Sequence, residues 1–182
     1  MKPEIPLLAL LSLLASAVYA GDAVKAKQLM TLMRADEVVA GAMKTGLRNN
    51  KTGINLSDAQ LACLDAVPHS EFSSVVTTAL ADGLSNEELA AAITFYKTPA
   101  GANYAKSIVT LMQGAGQPLP LSDADAASVR EFADSPVGDK LLKKALIPNS
   151  NVVADRMAQV SADAIENCFK TAPTPAPAKK TP

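Results

Sequence analysis

Two stretches of the chain, LSNEELAAAITFYKTPAGANYAK at residues 84–106 and LSDADAASVREFADSPVGDKLLK at residues 121–143, align without a gap at an offset of 37 residues. The positions that define the shared pattern pair Leu84 with Leu121, Ser85 with Ser122, Phe95 with Phe132, Pro99 with Pro136 and Gly101 with Gly138. Agreement of this kind indicates an internal repeat, and a period of this size is typical of a duplicated helical hairpin. The sequence therefore predicts two copies of a helix–proline–helix unit.

The start of each copy predicts the N-terminus of a helix. Ser85 is placed to accept a hydrogen bond from the backbone N–H of Glu88, while the Glu88 side chain reaches back to the N–H of Ser85. The second copy keeps the serine as Ser122 but has Asp125, a shorter reciprocal partner, in place of the glutamate. We expect a full capping box in the first copy and a weaker one in the second.

The middle of each copy predicts a change from one helix to the next. Thr98-Pro99 and Ser135-Pro136 place a hydroxyl N-cap directly before a proline in the first helical position. The glycines Gly101 and Gly138 each disfavour a helix by about 0.5–1 kcal/mol relative to alanine, so we expect them where two backbones approach closely. Both phenylalanine rings are expected in the core. The predicted structural residues of the hairpins are Ser85, Glu88, Phe95, Thr98, Pro99, Gly101, Phe132, Pro136 and Gly138.

Composition extends the helical prediction to the whole chain. Of its 182 residues 33 are alanine, whereas phenylalanine and tyrosine together number seven. Such a composition favours helices, and the length allows one domain with a hydrophobic core. We therefore predict an all-α fold, an antiparallel bundle of seven or eight short helices that forms a single domain over residues 21–170.

Apolar spacing and capping residues place the helices outside the repeats. Residues 22–49 are predicted to form two helices or one kinked helix, because a polar stretch interrupts their apolar pattern. Ser57 is expected to cap the next helix. Further helices are predicted from about residue 70 to a stop at Gly83 and over residues 151–170.

The two ends of the chain differ in composition from the predicted domain. Residues 1–20 combine a lysine-bearing start, an apolar run and a small residue before a polar turn, which is the pattern of a secretory signal peptide. An uncleaved interfacial anchor is the alternative. No later stretch is long and apolar enough to predict a membrane span after signal removal. Residues 171–182 are rich in proline and predict a disordered tail. The expected localisation is periplasmic or secreted.

The two cysteines, Cys63 and Cys168, predict a disulfide, because an exported chain meets oxidising conditions. Buried free thiols, or Cys63 as a nucleophile with His69 as its base, are the alternatives. With one histidine and two cysteines in the chain, zinc sites made of several histidines and cysteines are excluded by number. We predict neither a metal site nor a cofactor.

A longer stretch around the first copy, EELAAAITFYKTPAGANYAKSIVTLM at residues 87–112, resembles the signature of a bacterial exported family known as domain of unknown function 2059. The matching features are Glu88-Leu89, Phe95-Tyr96 and the step from Thr98 to Gly101. The resemblance covers roughly residues 84–113, with a looser similarity over residues 29–47. It implies a small exported all-helical fold and brings no assigned activity with it.

Residues able to carry catalysis are scarce. His69 has no second histidine and no serine elbow to work with, so we expect a surface or capping role for it. Glu87 and Glu88 lie on different faces of their helix and complement its dipole instead of forming a carboxylate pair. No catalytic residue is predicted and the protein is not expected to be an enzyme. A hydrolase built on carboxylates distant in sequence is the remaining enzymatic alternative.

Charged residues also give little indication of a ligand. The formal net charge of −1 provides no basic surplus for nucleic acid. The stretch from Asp123 to Asp125 lacks the glycine and the distal glutamate of a calcium loop. Lys140, Lys143 and Lys144 are expected to form a solvated basic face, for which contact with anionic lipid is the alternative.

Tyr96 and Tyr104 distinguish the first copy from the second, which has Ala133 and Leu141 at these positions. Two interpretations are open for these side chains: they pack in the core, or they contact a ligand or a partner. We predict a non-enzymatic periplasmic binding or interaction protein with an unknown protein partner, for example an envelope accessory or an effector inhibitor. The alternative is a carrier of an apolar ligand or lipid in a cleft between alanine-lined helices.

Overall fold

The computed structural model describes residues 22–49, 56–114 and 117–171, and these residues form helices and connections without a strand. The all-α prediction is confirmed. The predicted signal peptide and residues 172–182 of the predicted tail lie outside the described residues. Thr171, the first residue of that predicted tail, instead belongs to the last helix.

Nine α-helices occur in the described part of the chain, one or two more than expected. A short 3₁₀ turn at His69–Phe72 precedes the helix that begins at Ser73, and a π-helical turn at Asp139–Lys143 continues the helix Pro136–Gly138. The α-helices are α1 (residues 22–33), α2 (Ala35–Arg48), α3 (Asp58–Asp65), α4 (Ser73–Gly83), α5 (Asn86–Tyr96), α6 (Pro99–Met112), α7 (Asp123–Asp134), α8 (Pro136–Gly138) and α9 (Asn151–Thr171).

The first two helices are separated by a single residue, Arg34, as the interrupted apolar pattern predicts. Arg34 has a positive φ of 53°, which turns the chain between α1 and α2. Its guanidinium forms an ion pair with Glu37 at 2.5 Å. This contact holds the side chain against the first turn of α2 and raises the pKa of the arginine.

The capping predictions are confirmed at several helix starts. Ser57 accepts from the N–H of Gln60, whose side chain in turn accepts from the N–H of Ser57 at 2.8 Å. Ser85 and Glu88 form the same reciprocal pair, with distances of 3.2 and 2.8 Å. Each box satisfies two N–H groups that would otherwise lack a partner.

The change from α5 to α6 occurs at Thr98, whose hydroxyl accepts from the N–H of Gly101 at 3.1 Å. A Cβ added at Gly101 would lie 2.7 Å from the Cα of Tyr96 and closer still to the carbonyl oxygen of Phe95. Real Cβ atoms essentially never approach other heavy atoms so closely. The glycine therefore permits the tight packing of α6 against the end of α5.

The second hairpin begins like the first and ends differently. Ser135 accepts from the N–H of Gly138 at 3.1 Å, and a Cβ on this glycine would lie 2.6 Å from the carbonyl carbon of Phe132. After three residues, however, the second helix widens into the π-helical turn, closed by the N–H of Lys144 bonded to the carbonyl of Asp139 at 2.7 Å. The helical turns that follow Pro136 end at Lys143, so the second helix of this hairpin is shorter than α6.

The two repeat phenylalanines lie in one aromatic cluster with Tyr96. The rings of Phe95 and Phe132 stack with centroids 3.9 Å apart and planes 2° from parallel. Phe132 is buried, but Phe95 is only half-buried, so the expectation that both rings are buried is wrong for Phe95. Tyr96, the next residue along α5, takes the buried position, and Phe95 covers the outer side of the stack.

A disulfide joins α3 to α9 through Cys63 and Cys168, as predicted, with the Cα atoms 5.7 Å apart. α9 also packs on α4, and its residue Val153 is 1% exposed. The last helix is therefore part of the single hydrophobic core. Within the described residues, no helix has both the length and the apolar character that a membrane crossing requires.

Candidate functional site

An apolar cavity of about 500 Å³ lies between α2, α6, the π-helical turn and α9. Small side chains leave this space open, among them Ala35 and Ala42 of α2 and Ala105 of α6. Met33 and Met157 contribute long, flexible side chains from opposite ends of the chain. No charged residue of the described chain lines the cavity. The arrangement can hold an apolar molecule of moderate size.

Tyr96 and Tyr104 both line this cavity, although the Thr98-Pro99 step puts them on successive helices. Tyr96 is 3% exposed and Tyr104 is half-buried. Neither hydroxyl takes part in a hydrogen bond with a described residue. Burial raises the pKa of both phenols, and proximity to Tyr104 raises that of Tyr96 further. Both hydroxyls therefore stay protonated and can donate a hydrogen bond to a ligand.

The aromatic cluster fixes the position of Tyr96. Its ring meets those of Phe95 and Phe132 edge to face, with centroid distances of 5.1 and 5.8 Å. Edge-to-face pairs of this kind are favourable, so the phenol is held in place.

Unusual backbone surrounds the same cavity. Arg34, at φ 53°, stands between the lining residues Met33 and Ala35, and Ala145, at φ 49°, is itself a lining residue. These two are the only non-glycine residues with positive φ among those described. The π-helical turn adds the consecutive leucines Leu141 and Leu142 to the lining. Left-handed residues and π-helical turns are found preferentially at functional sites.

His69 lies elsewhere, beside a buried carboxylate that the sequence analysis missed. Its Nδ1 is 2.9 Å from Oδ2 of Asp36, and the hydroxyl of Ser73 donates to the same oxygen at 2.8 Å. No hydrogen bond joins the serine to the histidine, so the three residues do not form a relay of the serine-hydrolase type. Asp36 is 7% exposed and connects α2 to the 3₁₀ turn. The sequence did not indicate that Asp36 is buried, because this residue lies in the polar stretch that interrupts the apolar pattern of residues 22–49.

The lysines of the predicted basic face form ion pairs with acidic residues. Lys140 is half-buried and donates to Glu88 at 2.8 Å, which ties the second hairpin to the capping box of the first. Lys143 and Lys144 are exposed, as expected of a solvated face, although each of the three lysines has an acidic partner. The three ion pairs are Lys140 with Glu88, Lys143 with Asp134, and Lys144 with Asp139.

The remaining candidates have structural roles. The disulfide leaves no thiolate on Cys63, which overturns its alternative role as a nucleophile. Asp125 receives a hydrogen bond from Asn103 at 2.9 Å, and its N–H donates to the Ser122 hydroxyl at the start of α7. Among the described residues, no group of three or more potential metal ligands occurs.

One comparison with known proteins identifies a related family. Residues 70–119 match domain of unknown function 2059, described as an uncharacterized protein conserved in bacteria, which confirms the resemblance. The matched segment contains α4, α5 and α6, and with them Tyr96 and Tyr104. The second hairpin and residues 29–47 lie outside it. No curated protein and no solved structure matches the chain.

Proposed function

We propose that this is an exported, non-enzymatic binding protein that carries an apolar ligand in the cavity between α2, α6, the π-helical turn and α9. The observation that carries the proposal is the cavity itself: about 500 Å³, free of lining charges, with two tyrosine hydroxyls that have no partner among the described residues. This volume lies within the range of small-molecule sites.

Packing energetics support a ligand. The cavity is an apolar cleft that is partly open to solvent, so a ligand bound there would remove its aliphatic lining from water. The two left-handed residues beside the cavity, Arg34 and Ala145, each add a cost of about 1–2 kcal/mol. A ligand that fills the space would offset these costs in the bound state.

Export is supported by the pattern of residues 1–20 and is compatible with the disulfide and with the bacterial family. An apolar compound needs a carrier in an aqueous compartment because water solvates it poorly. An envelope accessory role for such a carrier is part of the proposal.

A protein-interaction role for the tyrosines has less support. Tyr96 is 3% exposed, so its ring cannot add a large contact area to an interface. Ligand contact inside the cavity is the role that suits this degree of burial.

Filling the cavity tests the function. Ala42, half-buried on α2, lines the cavity, whereas Ala91 on α5 is exposed and does not. Ala42→Phe is expected to abolish binding of the uncharged fluorescent probe phenylnaphthylamine while the protein stays folded, and Ala91→Phe is the matched control. Protein recovered from the native envelope should also yield a stoichiometric apolar compound on organic extraction. Equal probe binding by the two variants would refute the proposed site.

A further inference from the structure

We infer that the ligand is an uncharged, single-chain amphiphile whose ester, ether or similar oxygen accepts hydrogen bonds from Tyr96 and Tyr104 while its hydrocarbon fills the rest of the cavity. The inference rests on the proposed function and goes beyond it by stating the chemical class of the ligand.

The lining excludes a charged group. Aliphatic side chains, methionines and the two tyrosines surround the cavity, and no lysine, arginine or histidine of the described chain lines it. Transfer of an ionised carboxylate or phosphate into such a site costs several kcal/mol unless a charge compensates it. The nearby lysines do not supply that charge, because Lys140, Lys143 and Lys144 each pair with an acidic residue.

The hydroxyls of Tyr96 and Tyr104 favour a ligand that contains a hydrogen-bond acceptor. The hydroxyl of Tyr96 has no hydrogen-bond partner among the described residues, and it keeps contact with solvent at the cavity, which a bound ligand would displace. Burial holds both phenols in their protonated form, so they donate. A pure hydrocarbon would leave the two O–H groups without acceptors, whereas a ligand oxygen satisfies them.

Volume restricts the hydrocarbon part. A space of about 500 Å³ lies at the lower to middle part of the range for small-molecule sites. It accommodates one hydrocarbon chain and is too small for the two chains of a membrane phospholipid. A medium-chain ester is therefore a suitable probe.

The test compares three ligands of equal chain length on the full, disulfide-bonded protein after removal of bound lipid. Methyl decanoate, decane and decanoate, the last at about pH 8 where its carboxyl group is ionised, compete with phenylnaphthylamine. Decanoate is expected to bind at least about tenfold more weakly than the ester.

Hydroxyl removal then isolates the hydrogen bonds. Tyr96→Phe and Tyr104→Phe are each expected to lower the affinity for methyl decanoate by about five- to tenfold and to leave that for decane within about twofold. Thr94→Val is the matched control, because it removes an exposed hydroxyl of α5 that donates to the carbonyl of Ala90. Thr94→Val should change neither the affinity for methyl decanoate nor the affinity for decane. Thermal unfolding of each variant verifies that the fold is intact.

The outcomes separate the two proposals. Displacement of the probe by none of the three ligands would count against the proposed function itself. Binding of decanoate as tight as that of the ester, or a loss on tyrosine substitution that is equal for ester and alkane, would overturn the ligand class and leave an apolar carrier in place.

Discussion

Gly101 and Gly138 occupy the point in each hairpin where the second helix meets the backbone of the first. A methyl group at either position would collide with backbone atoms of the preceding helix, which cannot move aside as a flexible side chain can. Gly46 on α2 is different, because a Cβ there would have nothing within 4 Å. The three glycines therefore separate the effect of close approach from the intrinsic preference of a helix for alanine.

Gly101→Ala is expected to lower the free energy of unfolding by about 1–3 kcal/mol or more, because the new methyl group forces α5 and α6 apart. Gly46→Ala should raise it by about 0.5–1 kcal/mol, because alanine favours the helix. Urea unfolding of both variants measures the two effects. Destabilisation of similar size at both positions would contradict the close-approach explanation.

Glu88 joins the capping box of α5 to the second hairpin. Its carboxylate accepts from Lys140 and from the N–H of Ser85, and these bonds lower the pKa of Glu88. Because the folded-state pKa lies below the unfolded value, the stabilisation is complete above about pH 4.3 and is lost as the pH falls further. The Lys140 side chain is 40% exposed, so solvent screens the ion pair.

Glu88→Gln is expected to cost about 0.5 kcal/mol at neutral pH, since glutamine keeps the capping geometry but loses the ionic partner. The difference from the natural protein should be smaller at about pH 3 than at neutral pH, because the stabilisation by the carboxylate is lost as the pH falls below about 4.3. Urea unfolding at the two pH values provides the measurement. A difference that is independent of pH would show that the charge of Glu88 has no part in it.

Among the helices, local chemistry predicted the starts better than the ends. Ser57, Ser85 and Thr98 determine where a helix begins through hydrogen bonds within three residues, so the sequence shows them directly. The end of the second hairpin depends instead on tertiary packing, in which Leu141 and Leu142 both turn to the cavity. A pattern of local spacing does not contain that information.

The connection between the π-helical turn and α9 contains Ala145 at φ 49°. Ala145→Gly should raise the free energy of unfolding by up to about 1 kcal/mol, because glycine adopts the left-handed conformation without a Cβ clash. Ala127→Gly, on the exposed side of α7, is expected to change stability in the opposite direction by about 0.5–1 kcal/mol. Denaturant midpoints of the two variants are compared. A decrease for both would mean that Ala145 is not strained.

For the molecule as a whole, the fold class, the disulfide and the capped helix starts could be predicted from the sequence. A cleft between alanine-lined helices was among the alternatives, whereas the residues that line the cavity could not be predicted. Its lining extends from Met33 to Met157, and no periodicity relates residues so far apart. Tyr96 and Tyr104 were recognised as unusual because the second copy lacks them. That they share one cavity follows only from the packing of α2 against α6 and α9.

The disulfide links residues 105 positions apart and fastens α9 to α3. Loss of a link that closes a loop of this length costs about 4–5 kcal/mol in the chain-entropy description. Combined Cys63→Ala and Cys168→Ala substitution should lower the unfolding free energy by about this amount in urea titrations under non-reducing conditions. A loss below about 1 kcal/mol would indicate that core packing alone holds α9 in place.

The position of α9 at the end of the domain also has a consequence for biogenesis. Val153 and Met157 of α9 contribute part of the cavity wall, so the cavity cannot form until the chain through α9 has been synthesised. Cys168 follows still later and finds its partner more than a hundred residues upstream. A ligand held as we propose would therefore enter only after α9 has been synthesised and packed.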